Sequence, residues 1–396
     1  MPGRDGHVDV LIVGGGNGGI SLAARLRRLG LPNIAIVEPK LNHQFRPLLS
    51  YVGAGLARPA ELIRAQSRVM PTGVEWIQDA VEAIDPQAST VTLSSGAVMT
   101  YGQVCLTPGS EPDWDDIEGS AEAMLSPAAS TNYVVDLAPK TWELIRQLRR
   151  GRAVFTLPDG PAPCPGAGQK ILYLACDYWR AAGVLGDIDV TLVTPDDDVS
   201  ANAGVSRQLR RWTGTYDIAV VPQSRVERID VVQREIHLVS AGADRRHGYD
   251  FLHVTPVHRA QPWIGAAGLS SAEAAGYVDV DPHTLRHRHF PNVWACGDAA
   301  ETGASRSGGA LREQTKVLAA NLVADRGGSE LPESYSGYSV CPYTVSRSKV
   351  LFFEFDRERR RMPSVPLLGR RPNRLAFLGD RYALPQIYWR RILKGK

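Results

Sequence analysis

The run Gly14-Gly15-Gly16-Asn17-Gly18-Gly19 restricts what this chain can fold into more than any other stretch. It follows Val8-Asp9-Val10-Leu11-Ile12-Val13, a short apolar run that predicts a buried parallel strand. Residues 18–29 place small and apolar side chains at helical spacing, and residues 33–38 predict a second strand, giving one βαβ unit of about thirty residues. Each fingerprint glycine has a mechanical task. Gly14 permits the tight turn, Gly16 lets backbone approach a pyrophosphate, and Gly19 lets the helix pack against the strand. The phosphates would sit at the helix N-terminus by Asn17, where free N–H groups and the helix dipole favour negative charge. Glu38, nineteen residues after Gly19, stands where an acid can accept a hydrogen bond from a ribose.

Further strands are expected at Val74–Ile77, Thr90–Leu93 and residues 104–106. A second block opens with a strand at 153–157, a helix over 170–182 and a strand at 190–193, and the chain returns to the first block at Pro291–Asp298. The expected fold class is α/β, with two interleaved Rossmann-like domains and a C-terminal membrane-associating segment. The first domain takes residues 1–125 and 285–334, the second 126–284, and the last segment 335–396. With 396 residues, 43% of them hydrophobic, the chain can bury two or three cores. From Cys341 to Lys396 it carries 14 Arg and Lys against 4 Asp and Glu, though the whole chain nets only +3. Such a basic end suits nucleic acid, an anionic membrane surface or a solvated face. Five scattered cysteines argue against a secreted disulfide framework. The first strand leaves no room for a signal peptide, and no apolar run approaches the roughly 18 residues of a spanning helix. An intracellular protein that does not cross a membrane is expected.

Gly297-Asp298, after the short apolar strand 293–296, resembles the second FAD motif of two-dinucleotide-domain flavoproteins, where the Asp binds the ribityl chain. Thr107-Pro108-Gly109 takes the place of their A-T-G connector. FAD therefore suits the first site better than NAD does, and it is expected to be non-covalent, because no cysteine has an evident reason to attach the ring. The second domain lacks a fingerprint. Its helix reads Leu172-Tyr173-Leu174-Ala175-Cys176-Asp177-Tyr178-Trp179, with bulky groups where pyrophosphate would need bare backbone, so nicotinamide is not expected there.

Two cysteines lie in turns. Cys164 stands between Pro163 and Pro165, just before a helix and near Lys170, and both features lower a thiol pKa. Cys341 precedes Pro342 and is flanked by Tyr338 and Tyr343. Cys105, Cys176 and Cys296 lie in apolar runs, where cysteine is a small buried hydrophobe. No C-x-x-C spacing points to a metal. These residues leave two readings of the turn cysteines open, a redox pair and two ordinary turn residues.

In the order of its motifs the chain resembles the type II sulfide:quinone oxidoreductases. The likeness runs from Gly14–Ile20 and Ile34–Pro39 through His43-Gln44, Pro47, Val52–Gly55 and Gly73–Ile77. It continues with Cys164, Gln169-Lys170, Leu252–Pro256, Gly276–Asp281, Gly297-Asp298, Gly337-Tyr338, Cys341-Pro342, Leu384-Pro385 and Tyr388-Trp389. The resemblance implies that sulfide attacks a disulfide or sulfur-bridged pair formed by Cys164 and Cys341. One cysteine keeps a persulfide, and the other, as thiolate, feeds electrons to the flavin, which reduces ubiquinone or menaquinone. A small acceptor then takes the sulfur. By position Cys164 is expected to carry the persulfide and Cys341 to sit beside the flavin. Arg46, Val81 and Gly308 fall where such enzymes contact the cofactor. The stretch 372–396, with Tyr388-Trp389-Arg390-Arg391, is expected to lie on an anionic membrane beside the quinone, making the protein peripheral on the membrane with no nucleic-acid partner. The chain departs from the family pattern at Arg306, in place of a lysine, at Leu311-Arg312-Glu313-Gln314 beside the isoalloxazine, and at Asp177, one position from an expected carboxylate. A type II NADH dehydrogenase-like enzyme and a flavin-binding homologue without turnover are the rival readings.

Overall fold

The opening apolar run forms β1 (His7–Val13), and the fingerprint turn leads into α1 (Asn17–Arg28) and then β2 (Ile34–Val37). A computed structural model describes residues 6–164, 166–240, 243–363 and 371–396. Pro165 and residues 364–370 of the expected C-terminal segment lie outside the described residues. β1 pairs in parallel with β2 from Val10↔Ile34 to Val13↔Val37, and β2 pairs in the same sense with β3 (Val74–Ile77). Both faces of β1 and β2 are covered, which is why the sequence shows continuous apolar runs there. β4 (Val81–Asp85), β5 (Thr90–Leu93) and β6 (Val98–Leu106) form an antiparallel meander, and β6 joins β1 in parallel.

The second domain holds a parallel sheet in the order β7, β14, β8, β9, β10. These strands are β7 (Ala129–Ser130), β8 (Gly151–Thr156), β9 (Ile188–Val193), β10 (Ala219–Val221) and β14 (Phe251–Val254). Between β8 and β9 runs α3 (Gly166–Ala181), joined to α2 (Leu49–Gly53) of the first domain by packing of Gly53 on Ile171. An antiparallel trio, β11 (Ser224–Asp230), β12 (Glu235–Ser240) and β13 (Ala243–Gly248), extends this domain. β15 (Val293–Ala295) returns to the first sheet beside β6, and α4 (Gly308–Arg326) packs against α1.

The crossings between domains come earlier than the sequence suggested. Glu111–Pro112 and His258–Arg259 run antiparallel as the chain leaves and returns. Ile117, Ala123 and Met124 already pack with Val154, Val193 and Leu252 of the second core, whereas Ile264, Leu269 and Tyr277 pack with Val8 and Leu11 of the first. Expected boundaries at 125/126 and 284/285 thus fall inside packed segments.

The last segment is no separate body. The hairpin β16 (Ser339–Ser346) and β17 (Lys349–Phe355) lies between the domains and uses strand alternation to serve both. Cys341, Tyr343, Val345, Leu351 and Phe353 belong to the second core, and Val350 and Phe352 pack in the first. Next come α5 (Arg374–Leu378), a π-turn (Gly379–Ala383) and α6 (Leu384–Arg390), whose Ala376, Phe377, Tyr388 and Trp389 enter the first core together with Leu393.

Candidate functional site

The loop from β8 to α3 carries Cys164, and β16 carries Cys341 to meet it, with the two Sγ atoms 3.5 Å apart. Cys164 adopts a left-handed backbone at φ +48°, a conformation that costs a non-glycine residue energy and is held by its surroundings. Its N–H donates to the Arg306 carbonyl at 2.8 Å, and its carbonyl accepts from Ala167 N–H at 2.8 Å and from the Tyr133 hydroxyl at 2.9 Å. Gly166 makes the close approach possible, because a Cβ there would stand 2.8 Å from Cys341 Sγ and 2.9 Å from the Tyr343 ring.

The pair is electrostatically unequal. Cys164 is lowered from 9.0 to about 6, first by the hydrogen bond from Cys341, with burial opposing and the Lys170 ammonium assisting. Cys341 is pushed the other way by that same bond, by burial and by the Cys164 charge. The two shifts belong to one proton shared by two sulfurs, and their direction favours Cys164 as the thiolate. The expectation had given the thiolate to Cys341. Two sulfurs bonded to a third at near-tetrahedral angle stand about 3.3 Å apart, so this gap suits a bridging sulfur and needs only a small movement to close as a disulfide. The remaining thiols are placed differently. Cys105, Cys176 and Cys296 are fully buried, and burial raises all three, Cys296 to about 12.

The dinucleotide cleft is built at the end of β1. Gly14 turns at φ +98° with its Cα against the Thr107 backbone, and Gly19 packs on the Gly14 carbonyl. Sequence reasoning missed the lock on this turn. The Thr107 hydroxyl reaches the Val13 carbonyl at 3.0 Å and the Gly14 carbonyl at 2.9 Å, and Gln66 Nε2 donates to the Gly15 carbonyl at 2.8 Å. The altered connector thus holds the fingerprint. The cleft fits FAD on the protein's own features. A Cβ on Gly16 or on Gly308 would meet nothing within 4 Å, which leaves the space a pyrophosphate requires. α1 has no side-chain cap and no acid in its first turn, so its first N–H groups, including that of Asn17, remain available for an anion. Glu38 receives the Gly15 N–H at 2.7 Å and stays half-buried at the rim. Asp298 is half-buried, its carboxyl raised by burial and held back by Arg46 and Arg306. Arg46 is exposed and donates to the Tyr133 carbonyl at 3.1 Å, while Val81 heads β4 opposite Leu93.

The departures from the family pattern also find their places. Arg306 lies 3.9 Å over the Tyr277 ring, donates to the Asp298 carbonyl at 3.2 Å and pairs with Glu301 at 2.8 Å. Arg312 and Glu313 pair with each other at 3.6 Å and are partly exposed, whereas Leu311 is the side chain that reaches Gly18 and Gly297. Gln314 Oε1 accepts the Gly297 N–H at 2.8 Å. Asp177 is far along α3 from the sulfurs, bound to Arg180, to the Tyr216 hydroxyl at 3.2 Å and to Arg347 N–H at 2.8 Å. In the second domain the bulky run 172–179 packs in the core, and the N-terminus of α3, where a nicotinamide pyrophosphate would bind, is covered by Cys341 and Tyr343.

The aromatic pair expected at the membrane faces inward. Tyr388 donates to His43 Nε2 at 2.6 Å and packs 4.3 Å from Phe45, and Trp389 lies beneath the Arg64 guanidinium at 4.2 Å. Within residues 371–396 the exposed large apolar side chains are Leu375 (74%), Leu378 (50%), Tyr382 (55%) and Ile387 (43%). The first three follow helical spacing. The extra residue of the π-turn advances the phase by one, so that Ile387 rather than Gln386 continues the stripe. Among the described residues no helix is long and apolar enough to cross a membrane.

Comparisons with known proteins agree with this arrangement. Residues 8–317 match the pyridine nucleotide-disulphide oxidoreductase family. The chain is 30% identical over 393 residues to a mitochondrial sulfide:quinone oxidoreductase of Mus musculus, covering 98% of this chain and 87% of that one. It is 29% identical over 390 residues to the mitochondrial sulfide:quinone oxidoreductase of Dictyostelium discoideum, covering 98% and 86%. The solved structure of the sulfide:quinone oxidoreductase from Aquifex aeolicus superposes with a TM-score of 0.82 at 18% identity, covering 98% and 92%, a likeness of fold.

Proposed function

This chain belongs to the pyridine nucleotide-disulphide oxidoreductase family and, within it, to the sulfide:quinone oxidoreductases, and from that membership we propose the following reaction. Sulfide is oxidised at the Cys164–Cys341 pair and quinone is the electron acceptor. The observation that carries it is the pair of cysteine sulfurs 3.5 Å apart. Hydrosulfide attacks Cys341 Sγ of the closed Cys164–Cys341 disulfide. The bond to Cys164 breaks, Cys341 keeps the incoming sulfur as a persulfide, and Cys164 departs as thiolate with the electron pair. The more acidic thiol is the better leaving group, and Lys170 stands beside it to hold the charge. This reading assigns the persulfide to Cys341 and electron donation to Cys164, the reverse of the order expected from the sequence. FAD, when bound, would supply a two-electron acceptor for that pair and a relay to quinone. A small nucleophilic acceptor takes the outer sulfur from Cys341, whose thiolate re-forms the bridge as the electrons leave.

The residues we assign to FAD binding are Gly14, Gly16, Asn17, Gly19, Glu38, Arg46, Val81, Asp298 and Gly308. Quinone access is assigned to a membrane surface met by Leu375, Leu378, Tyr382 and Ile387 with Arg390 and Arg391 beside them, a peripheral attachment with ubiquinone or menaquinone as the acceptor. The crowded N-terminus of α3 supports sulfide over nicotinamide as the donor. Anaerobic mixing of the purified protein with sulfide, and separately with NADH, tests this through bleaching of the visible flavin band. Rapid bleaching by sulfide alone is expected. Bleaching by low NADH and none by sulfide would overturn the reading.

A further inference from the structure

Behind the sulfur pair lies a buried ionic arrangement of which the reaction above uses Lys170 alone. Lys170 follows Gly166 by one turn of α3, on the face that meets Cys341, and is only 4% exposed. Asp380, 5% exposed, arrives from the far end of the chain in the π-turn. Tyr51 of α2 donates to Asp380 Oδ2 at 2.6 Å and stands 3.4 Å from the Thr344 hydroxyl, three residues past Cys341 on β16. Gly53, half a turn on from Tyr51, seats α2 against α3 at Ile171, next to Lys170. Four elements therefore converge on one water-poor volume.

The charged and titratable groups facing Asp380 are few. Lys170 faces it from α3, Cys164 from the loop before α3, and Tyr51 from α2. Arg381 of its own turn points elsewhere, to the Leu56 carbonyl and Glu61, each at 2.8 Å. Burial raises the Asp380 carboxyl, and Lys170 and the Tyr51 hydroxyl work to keep it ionised. Burial likewise works to strip Lys170 of its proton, and the charges of Cys164, Asp380 and Cys341 outweigh it. A lone buried ion would be costly, so the single ammonium must serve both anions.

We propose that Asp380 is a positioning residue for the sulfur pair: seated by Tyr51, it shares the Lys170 ammonium with the Cys164 sulfur, so the C-terminal segment governs the reactivity of the pair. The inference rests on the sulfide reading given above. Asp380 lies two residues from Tyr382 of the exposed stripe, so one short turn serves the surface with one side chain and the reacting sulfurs with another.

The test uses the holoenzyme with its cysteine pair reduced by a phosphine. Alkylation of Cys164 by iodoacetamide is followed against pH by mass of the Cys164 peptide, and thermal melting checks each variant. Asp380→Asn keeps the shape and an acceptor for Tyr51 while removing the charge, and should lower the alkylation midpoint by roughly one pH unit. Tyr51→Phe loosens the Asp380 carboxylate and should move the midpoint the same way by less. Lys170→Met should move it upward. An unchanged or raised midpoint in both Asp380→Asn and Tyr51→Phe overturns the proposal, and Tyr51→Phe decides alone if Asp380→Asn does not fold. Failure of sulfide to bleach the wild-type flavin would instead refute the sulfide reading and leave the alkylation result to stand by itself.

Discussion

At Gly166 one added methyl group decides whether the two sulfurs can meet. Gly166→Ala would push a carbon into Cys341 and Tyr343, an overpacking that costs about 1–3 kcal/mol and widens the gap. Sulfide-driven flavin reduction should fall at least about tenfold, the rate equivalent of about 1.4 kcal/mol, while the protein still purifies yellow. Retention of full sulfide activity would show that the close contact is dispensable. Cys164→Ser and Cys341→Ser should each abolish that reduction almost completely, since groups acting as one unit are not additive, whereas Cys105→Ser should alter melting only. Protonation provides a further check. The Cys164 thiol is depressed from 9.0 to about 6 in the folded protein, so its stabilisation is complete above about pH 9 and is lost as pH falls through about 6. The melting difference between reduced wild type and Cys164→Ser should therefore shrink as pH drops from 9 to 5, and a difference flat across that range would contradict the thiolate assignment. Thr107→Val would remove the one hydroxyl proton that the Val13 and Gly14 carbonyls share, about 1 kcal/mol, and should weaken FAD binding roughly fivefold in a fluorescence titration.

Among the elements, legibility in the sequence followed from how local each signal is. β1, β2 and the fingerprint turn were readable because two-sided burial writes an unbroken apolar run, and because a turn at positive φ demands glycine at Gly14. The C-terminal helices were misread for two physical reasons. The partner that draws Tyr388 inward, His43, lies 345 residues away in sequence, and no local pattern carries such a bond. The π-turn also breaks the 3.6-residue phase, so a regular helical reading puts Trp389 outside and hides Ile387. The cysteine pair was legible as two proline-flanked thiols, but the expected turn holds for Cys164 alone, since Cys341 sits in β16 within the second core, and the pair's polarity depends on Lys170 and Asp380, which only the fold assembles. The exposed stripe carries its own prediction. Leu375→Ser, Leu378→Ser and Ile387→Ser combined should release the protein from anionic vesicles and reduce turnover with long-tailed quinones, with a short soluble quinone still accepted. Unchanged vesicle binding would remove the stripe from the docking surface.

For the molecule as a whole, the hairpin and the helices after it act as a clasp that closes two cores at once. Deleting residues 372–396 would not trim a surface anchor, because it would strip Phe377, Tyr388, Trp389 and Leu393 from the first core. Loss of even one large buried side chain costs roughly 2–5 kcal/mol against a typical total of about 5–15, so the truncated protein should lack a cooperative melting transition. A truncated chain that melts cooperatively with FAD bound would contradict the clasp. The covered N-terminus of α3 has a consequence that reaches past this one chain. A helix end offers a single volume, and here a cysteine-bearing strand fills it where a second dinucleotide would otherwise bind. The two electron donors available to such a scaffold therefore exclude each other by occupancy. A designer who wished to give this fold a nicotinamide would have to unseat the strand, and with it the sulfur chemistry.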